Sequence, residues 1–143
     1  MKYLFDASAL LNIVRRLGER SLKILKENYI LTLTIYEVGN ALWRETRLLK
    51  KLTADEAEEI MKAVTALTKF MQTTEPEDPT EILKTSNKIE ATFYDAAYVV
   101  VALRRNLTLV TDDKKLATKI EKYQDAILKE RKRKLHVIRS TDL

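Results

Sequence analysis

Short apolar runs alternate with longer stretches of helical periodicity along this chain. The runs are rich in β-branched and aromatic residues, which favour strands. The longer stretches repeat apolar residues at intervals of three and four positions, which predicts helices with one buried face. The predicted strands cover residues 2–5, 29–33, 107–110 and 135–138.

Helix-start signals divide the sequence between these strands. Thr53 and Glu56 have the spacing of a capping box, in which each side chain bonds a free backbone N–H of the first turn. Pro79 suits the first position of a helix, where its missing N–H costs nothing. The predicted helices cover residues 7–17, about 19–27, 35–50, 53–71, 78–88, 92–105, 113–122 and 124–134, and the polar connector at 73–78 leaves room for one more short strand.

This order of strands and helices predicts an α/β fold with a parallel sheet covered by helices. Only two glycines and two prolines occur, so we expect short loops and a large helical content. No repeat, linker or low-complexity segment interrupts the pattern. The sequence therefore predicts a single domain over residues 1–143.

Composition narrows the class of protein. The chain is 45% hydrophobic and 33% charged, has no cysteine and carries a net charge of +5. Its longest apolar stretch, residues 96–103, is far shorter than the roughly 20 residues of a membrane span, and charged residues interrupt the N-terminal segment. We therefore expect a cytoplasmic protein with no membrane segment, no disulfide and no zinc–thiolate site, whose charge permits a polyanionic partner.

Acidic residues recur at the points where the predicted topology brings chain segments together. Asp6 follows the first strand, and Asp112 and Asp113 follow the strand at 107–110. Glu37 and Asp95 lie in the first turns of predicted helices. Ligands of parallel α/β sheets bind beyond the carboxyl ends of the strands, where these acids should meet. Crowded carboxylates repel one another unless a cation lies between them, which points to a divalent metal ion.

Helix capping is the competing interpretation for most of these acids. Thr34 precedes Glu37, and Thr92 precedes Asp95, at the spacing of a capping box. Residues 111–113 could cap the helix that follows them. Asp6 is the hardest to explain in this way, because a charged residue directly after a buried strand is costly to bury.

Four sequence blocks resemble the PIN domain family, and most of all its VapC toxin branch. They are Tyr3-Leu-Phe-Asp6-Ala-Ser8-Ala-Leu10, Thr34-Ile-Tyr-Glu37-Val-Gly-Asn40-Ala-Leu42, Phe93-Tyr-Asp95-Ala-Ala and Leu109-Val-Thr111-Asp112-Asp113-Lys-Lys-Leu116. The blocks stand in the family's order over about residues 1–120. The resemblance implies a three-layer α/β/α fold with a small parallel sheet of about four or five strands.

The resemblance also implies an activity and a set of partners. VapC toxins are metal-dependent endoribonucleases that pair with an antitoxin protein, and a homodimer is expected. The family's catalytic and metal-binding acids correspond to Asp6, Glu37, Asp95 and Asp113. Asp112 occupies a variable position of the motif, where it could assist or substitute for Asp113. The expected cofactor is Mg²⁺ or Mn²⁺, because both prefer oxygen ligands.

Residue chemistry excludes other routes to RNA cleavage. His136 is the only histidine and lies in a predicted terminal strand, so two histidines of one chain cannot share the proton transfers. A metal-activated water is the remaining nucleophile, with Glu37 or Asp95 as proton acceptor. Ser8, Asn40 and Thr111 are candidates for orienting the metal ligands. Lys114 and Lys115 are candidates for contacts with RNA phosphates, although such lysines more often form a solvated helix face.

Other functions fit the sequence less well. A haloacid dehalogenase-type phosphotransferase also has an aspartate after its first strand, but needs a second two residues later, where this chain has Ser8. A receiver-type phosphoacceptor domain needs an acidic pair that is absent here. A nuclease of RNA maturation and a non-catalytic binding module remain as alternatives. We expect Leu42, Trp43 and Leu49 in the core, although part of this surface could instead receive an antitoxin or a second copy of the chain. The basic run 129–134 favours a solvated face, with guidance of RNA or contact with a partner as the alternative.

Overall fold

The computed structural model describes residues 1–143. Five short strands are present: β1 (Tyr3–Phe5), β2 (Tyr29–Leu31), β3 (Gln72–Thr74), β4 (Thr108–Val110) and β5 (Val137–Ile138). The α-helices are α1 (Ala7–Leu17), α2 (Leu22–Leu25), α3 (Thr34–Arg47), α4 (Ala54–Thr68), α5 (Pro79–Ile89), α6 (Phe93–Arg105), α7 (Lys114–Lys122) and α8 (Gln124–Arg131). Two 3₁₀ turns, Gly18–Ser21 and Ser140–Asp142, complete the fold.

All five strands run parallel in the order β3-β2-β1-β4-β5. The chain builds the sheet outward from β1 to β3 and then returns to the other side of β1 with β4. The topological switch point therefore lies between β1 and β4, where Phe5 is paired with Val110. Open α/β sheets bind their ligands at this point, beyond the carboxyl ends of the strands.

The two faces of the sheet carry separate hydrophobic cores. Successive strand residues point to opposite faces. Leu4 and Leu109 pack with the helices α5 to α8, whereas their neighbours Phe5 and Val110 pack with α1, α3 and α4. Helix α6 is buried along its length from Ala96 to Leu103. The predicted three-layer α/β/α fold with a small parallel sheet is confirmed.

Backbone geometry explains several differences between predicted and observed element boundaries. The capping box of Thr53 and Glu56 forms as predicted. The predicted helix at 19–27 is instead a 3₁₀ turn followed by the single helical turn α2. Gly18, directly after α1, has a φ of 55°, and this left-handed conformation ends α1 and changes the direction of the chain. Helix α8 ends at Arg131 rather than 134, since Lys132 adopts a left-handed conformation.

The prediction of a wholly buried apolar set on α3 is wrong for two residues. Leu42 is buried, but Trp43 is 52% exposed and Leu49 is 51% exposed. Adjacent helix positions are about 100° apart around the axis, so Trp43 turns away from the face that carries Leu42. Leu49 lies beyond the end of α3. None of the helices combines the length and the apolar character required to cross a bilayer.

Candidate active site

The four predicted acids, Asp6, Glu37, Asp95 and Asp113, line one pocket, called here the acidic pocket. Each comes from the head of a different helix. Asp6 caps α1, Asp113 caps α7, and Glu37 and Asp95 lie in the first turns of α3 and α6. The pocket opens at the carboxyl edge of the sheet beside the switch point. The partial positive charge of four helix N-termini therefore offsets part of the carboxylate repulsion.

Asp6 is the deepest of the four and is 5% exposed. One carboxylate oxygen accepts hydrogen bonds from the Ala9 N–H at 2.9 Å and from the Ser8 hydroxyl at 2.7 Å. The other accepts from the Thr111 hydroxyl. Burial raises the pKa of Asp6 to about 6, because these three bonds offset only part of the desolvation and the charge of Asp95 adds to it.

Glu37 is held by a chain of hydrogen bonds whose direction is fixed at the Glu37 end, because Tyr98 gives its only hydroxyl hydrogen to Glu37 and can therefore only accept from Thr34. The Leu31 N–H donates to the Thr34 hydroxyl at 3.0 Å. Thr34 then donates to the Tyr98 hydroxyl, and Tyr98 donates to Glu37 Oε1, both at 2.7 Å. Burial raises the pKa of Glu37, the bond from Tyr98 opposes this, and the charges of Asp95 and Asp6 add to the increase.

These hydrogen bonds show that the capping interpretation of Thr34 is wrong. The N-cap of α3 is Leu33, which makes no side-chain cap bond, and Thr34 is already in the helix. Its hydroxyl is buried and supports Tyr98 instead. Tyr98 was missed as a site residue by sequence reasoning. The sequence signal for Tyr98 is a hydroxyl group within the apolar run of a helix, because a buried hydroxyl needs a hydrogen-bond partner.

Asp95 and Asp113 show that capping and pocket lining are compatible. Thr92 caps α6 by accepting from the Asp95 N–H at 3.1 Å, while the Asp95 side chain lines the acidic pocket. Burial and then the charge of Asp113 raise the pKa of Asp95. Asp113 caps α7 with Oδ1 alone, which accepts from Lys115 N–H and Leu116 N–H. Its Oδ2 takes no part in the cap.

Asp112, proposed above as an alternative ligand, lies outside the acidic pocket. Its carboxylate accepts from Asn12 Nδ2 at 2.9 Å and from the Ser140 N–H at 2.8 Å, and it also bonds the Ser140 hydroxyl. Burial would raise the pKa of Asp112, but these bonds outweigh it and lower the pKa. Asp112 lines a neighbouring pocket, called here the arginine pocket, together with Arg16 and Arg139.

The predicted supporting residues take different places. Ser8 and Thr111 both donate to Asp6, and both also accept a backbone N–H of the loop after β4, from Asp112 at 3.0 Å and from Asp113 at 3.1 Å. Asn40 is exposed and lines the acidic pocket. Lys114 and Lys115 are exposed at the head of α7, and neither lines this pocket. His136 does not line it either.

The donor set of the acidic pocket suits a hard divalent cation. All four groups are carboxylates, the ligands that Mg²⁺ and Mn²⁺ prefer, and neither histidine nor thiolate is present. Burial is the main cause of the raised pKa values of Asp6, Glu37 and Asp95, and the charge of a neighbouring acid raises each of them further, so a cation in the pocket would favour the ionised carboxylates. No three of the chain's acidic or histidine side chains are close enough together to form a finished coordination shell. An ion would have to draw the carboxylates together.

Comparison with known proteins identifies the class. The family model described as PIN domain matches residues 3–122. The chain therefore belongs to the PIN domain family, and its relatives place it in the VapC-type branch.

Two relatives from Pyrobaculum aerophilum support this placement. The chain is 37% identical over 121 residues to Exonuclease VapC9, covering 83% of this chain and 86% of that protein. It is 32% identical over 130 residues to Ribonuclease VapC3, covering 83% of this chain and 95% of that protein. The crystal structure of PAE2754 from the same organism superposes with a TM-score of 0.71 at 34% identity, covering 83% of this chain and 84% of that one.

Proposed function

We propose that this protein is a ribonuclease that hydrolyses RNA phosphodiester bonds with Mg²⁺ or Mn²⁺ in the acidic pocket. The observation that carries the proposal is that Asp6, Glu37, Asp95 and Asp113 all line one pocket at the switch point of the sheet. The names of the relatives, an exonuclease and a ribonuclease, support the same reaction class.

The four carboxylates would hold the ion with different degrees of freedom. Asp6 is fixed by three donors and is the anchor of the set. Glu37 has Oε1 bonded to Tyr98, and Asp113 has Oδ1 bonded to its helix, so each keeps its second oxygen for the ion. When bound, the ion supplies an activated water and offsets the charge that develops on the phosphate. Asp95 or Glu37 accepts the proton of the attacking water.

We also propose a biological role for this reaction. The VapC-type relatives favour a toxin that acts in the cytoplasm and is held inactive by a cognate antitoxin protein. Trp43 and Leu49 are exposed on or beside α3, and Leu49 lines the acidic pocket. This apolar surface beside the pocket suits contact with an antitoxin or with a second copy of the chain. The antitoxin and the homodimer are both part of the proposal.

The test is cleavage of a labelled RNA by the purified protein. We expect cleavage with Mn²⁺ or Mg²⁺, none with EDTA, and none by Asp6→Asn. Asp55→Asn is a matched control, because Asp55 is an exposed acid in the first turn of α4 and does not line the pocket. Cleavage that survives EDTA or Asp6→Asn would overturn the metal-dependent reaction.

A circular RNA substrate separates the two modes of cleavage. We expect an endonuclease, which opens the circle, as the resemblance to VapC toxins implies. An exonuclease, the activity in the name of one relative, needs a free end and leaves the circle intact. Intact circles beside degraded linear RNA would correct the proposal to an exonuclease.

A further inference from the structure

The arginine pocket has the opposite charge to the acidic pocket beside it. No apolar residue lines it, and three guanidinium groups, those of Arg15, Arg16 and Arg139, face the single carboxylate of Asp112. Arg15 is neutralised by a two-pronged ion pair with Glu45. The pocket therefore depends on the other two arginines for its positive charge.

Arg16 and Arg139 have no carboxylate partner within ion-pair distance, although the chain has many acids. Asp112 forms no contact ion pair with them, because its oxygens are engaged by Asn12 and Ser140, although the charge of Arg139 helps to lower the pKa of Asp112 from a distance. Arg16 is held in place by the Ser140 backbone carbonyl at 3.0 Å. The arginine pocket thus presents two guanidinium groups that have no contact ion pair, and one of them, Arg16, is held by the fold.

The two pockets are continuous. Asn12 and Arg15 line both of them, from the exposed side of α1. An RNA chain whose scissile phosphate enters the acidic pocket meets strong repulsion from the carboxylates. Its next phosphates need positive charge close by, and guanidinium groups bind phosphate oxygens in a planar, two-pronged geometry.

We propose that the arginine pocket binds a phosphate of the RNA backbone next to the phosphodiester that is cleaved. Arg139 and Arg16 are its main ligands, and Arg15 joins the two sites. This assignment rests on the proposed ribonuclease function. It explains how a pocket lined mainly by carboxylates can accept a polyanion.

The experiment measures binding of a fluorescein-labelled single-stranded RNA of about 12 nucleotides, within the common range of single-strand site sizes. EDTA is present, so binding is read without cleavage. We expect Arg139→Ala to weaken binding about fivefold and Arg139→Glu more than tenfold, with Arg139→Lys restoring most of the affinity. The slope of log affinity against log salt should fall by about 0.7 for the lost phosphate contact.

Arg20→Ala and Arg20→Glu are the matched controls, because Arg20 is exposed, forms no ion pair and lines neither pocket. Thermal unfolding of each variant confirms that it is folded. Equal effects at Arg20 and Arg139 would show only a response to net charge and would overturn the site. A second result would also overturn the site. If the Arg139→Glu variant binds RNA like the unmodified protein but no longer binds a poly-glutamate peptide, the pocket serves a protein partner and not RNA.

The two proposals fail in different ways. Absence of cleavage by the unmodified protein with Mn²⁺, beside intact RNA binding that depends on Arg139, would reject the ribonuclease and keep the phosphate site. Metal-dependent cleavage with RNA binding that ignores Arg139 would reject the phosphate site and keep the ribonuclease.

Discussion

Asp112 and Asp113 are adjacent in the chain, yet they lie in two pockets of opposite charge. Asp112 is surrounded by donors from Asn12 and Ser140, and its pKa is lowered. Asp113 caps α7 with one oxygen and adds its charge to that of Asp95. For these two neighbours, the pocket that each side chain enters and the donors found there, rather than the position in the motif, separate a carboxylate that holds the C-terminal turn from one that keeps an oxygen for a ligand.

The same contrast holds for the two pockets as wholes. The acidic pocket concentrates like charge that helix N-termini only partly offset, and the pKa values of three of its acids are raised. The arginine pocket concentrates positive charge around a satisfied aspartate. Carboxylates outnumber guanidinium groups in the lining of the acidic pocket, and the reverse holds in the arginine pocket, which is the arrangement expected for a site that binds a metal ion and a polyanion side by side.

The largest expected effect distinguishes the two adjacent aspartates. Asp113→Asn removes a negative ligand from the acidic pocket, so we expect kcat for RNA cleavage to fall on the order of 1000-fold, or about 4 kcal/mol. Asp112→Asn should change kcat less than about tenfold, because Asp112 faces the arginine pocket. Cleavage assays at saturating Mn²⁺ make the comparison. An equal loss in both variants would contradict the division of roles.

The second prediction concerns pH and the buried charge of Asp6. Its pKa of about 6 in the folded protein lies above the ordinary aspartate value of 3.8, so the folded protein binds more protons than the unfolded chain between these two pH values. Stability of the metal-free protein should therefore fall as pH rises through this window, by roughly 3 kcal/mol. Raised pKa values of Glu37 and Asp95 act in the same direction. Urea unfolding in EDTA at pH values from 4 to 7 measures this decrease in the free energy of unfolding.

Asp6→Asn is the control for this pH effect. The variant should lack most of the decrease, because its amide does not titrate. Mn²⁺ should restore stability above the folded pKa, since the ion prefers the deprotonated carboxylate. A stability of the metal-free protein that rises with pH, to the same extent with and without the Asp6→Asn substitution, would contradict the raised pKa of Asp6.

The third prediction tests the hydrogen-bond chain behind Glu37. Tyr98→Phe keeps the buried ring but removes the donor to Glu37 and the acceptor for Thr34. We expect Mn²⁺ affinity to fall about 10- to 100-fold, as for other groups that orient metal ligands. Isothermal titration calorimetry measures it. Tyr123→Phe is the matched control, because Tyr123 donates to the exposed Glu90 outside the pocket and should leave affinity unchanged.

The smallest expected effect is a loss of stability when the hydrogen bonds of Asp112 are removed. Asp112→Ala leaves the Ser140 N–H and Asn12 without their acceptor, and part of this network is exposed to water. We expect the free energy of unfolding to fall by about 1 to 2 kcal/mol, measured by urea denaturation. No loss of stability would show that the bonds of Asp112 do not hold the C-terminal turn against α1.

Much of this fold was predictable from local patterns. Residue pairs such as Leu4 and Phe5 sit in short apolar strands that are covered on both faces, and this pattern predicts a parallel sheet between helices. The four acids were predictable as a set, because each ends a strand or begins a helix on the carboxyl side of the sheet. Their residue types then indicated a hard cation.

Contacts between distant segments were not predictable in the same way. The spacing of Thr34 and Glu37 is that of a cap, but a buried tyrosine 64 residues further on takes the threonine hydroxyl. The place of Asp112 outside the acidic pocket depends on donors from Ser140, in a C-terminal turn 28 residues further along the chain. Trp43 is apolar and helical, and only the packed structure shows that it faces outward. Such outcomes depend on tertiary packing, which overrides local preference.

Anomalous diffraction from a crystal soaked in Mn²⁺ tests the central claim most directly. We predict a manganese peak in the acidic pocket, with oxygens of Asp6 and of at least two of Glu37, Asp95 and Asp113 about 2.1 Å from the ion. A pocket without manganese at saturating concentration, or a peak bound by Asp112 in place of these acids, would contradict the claim.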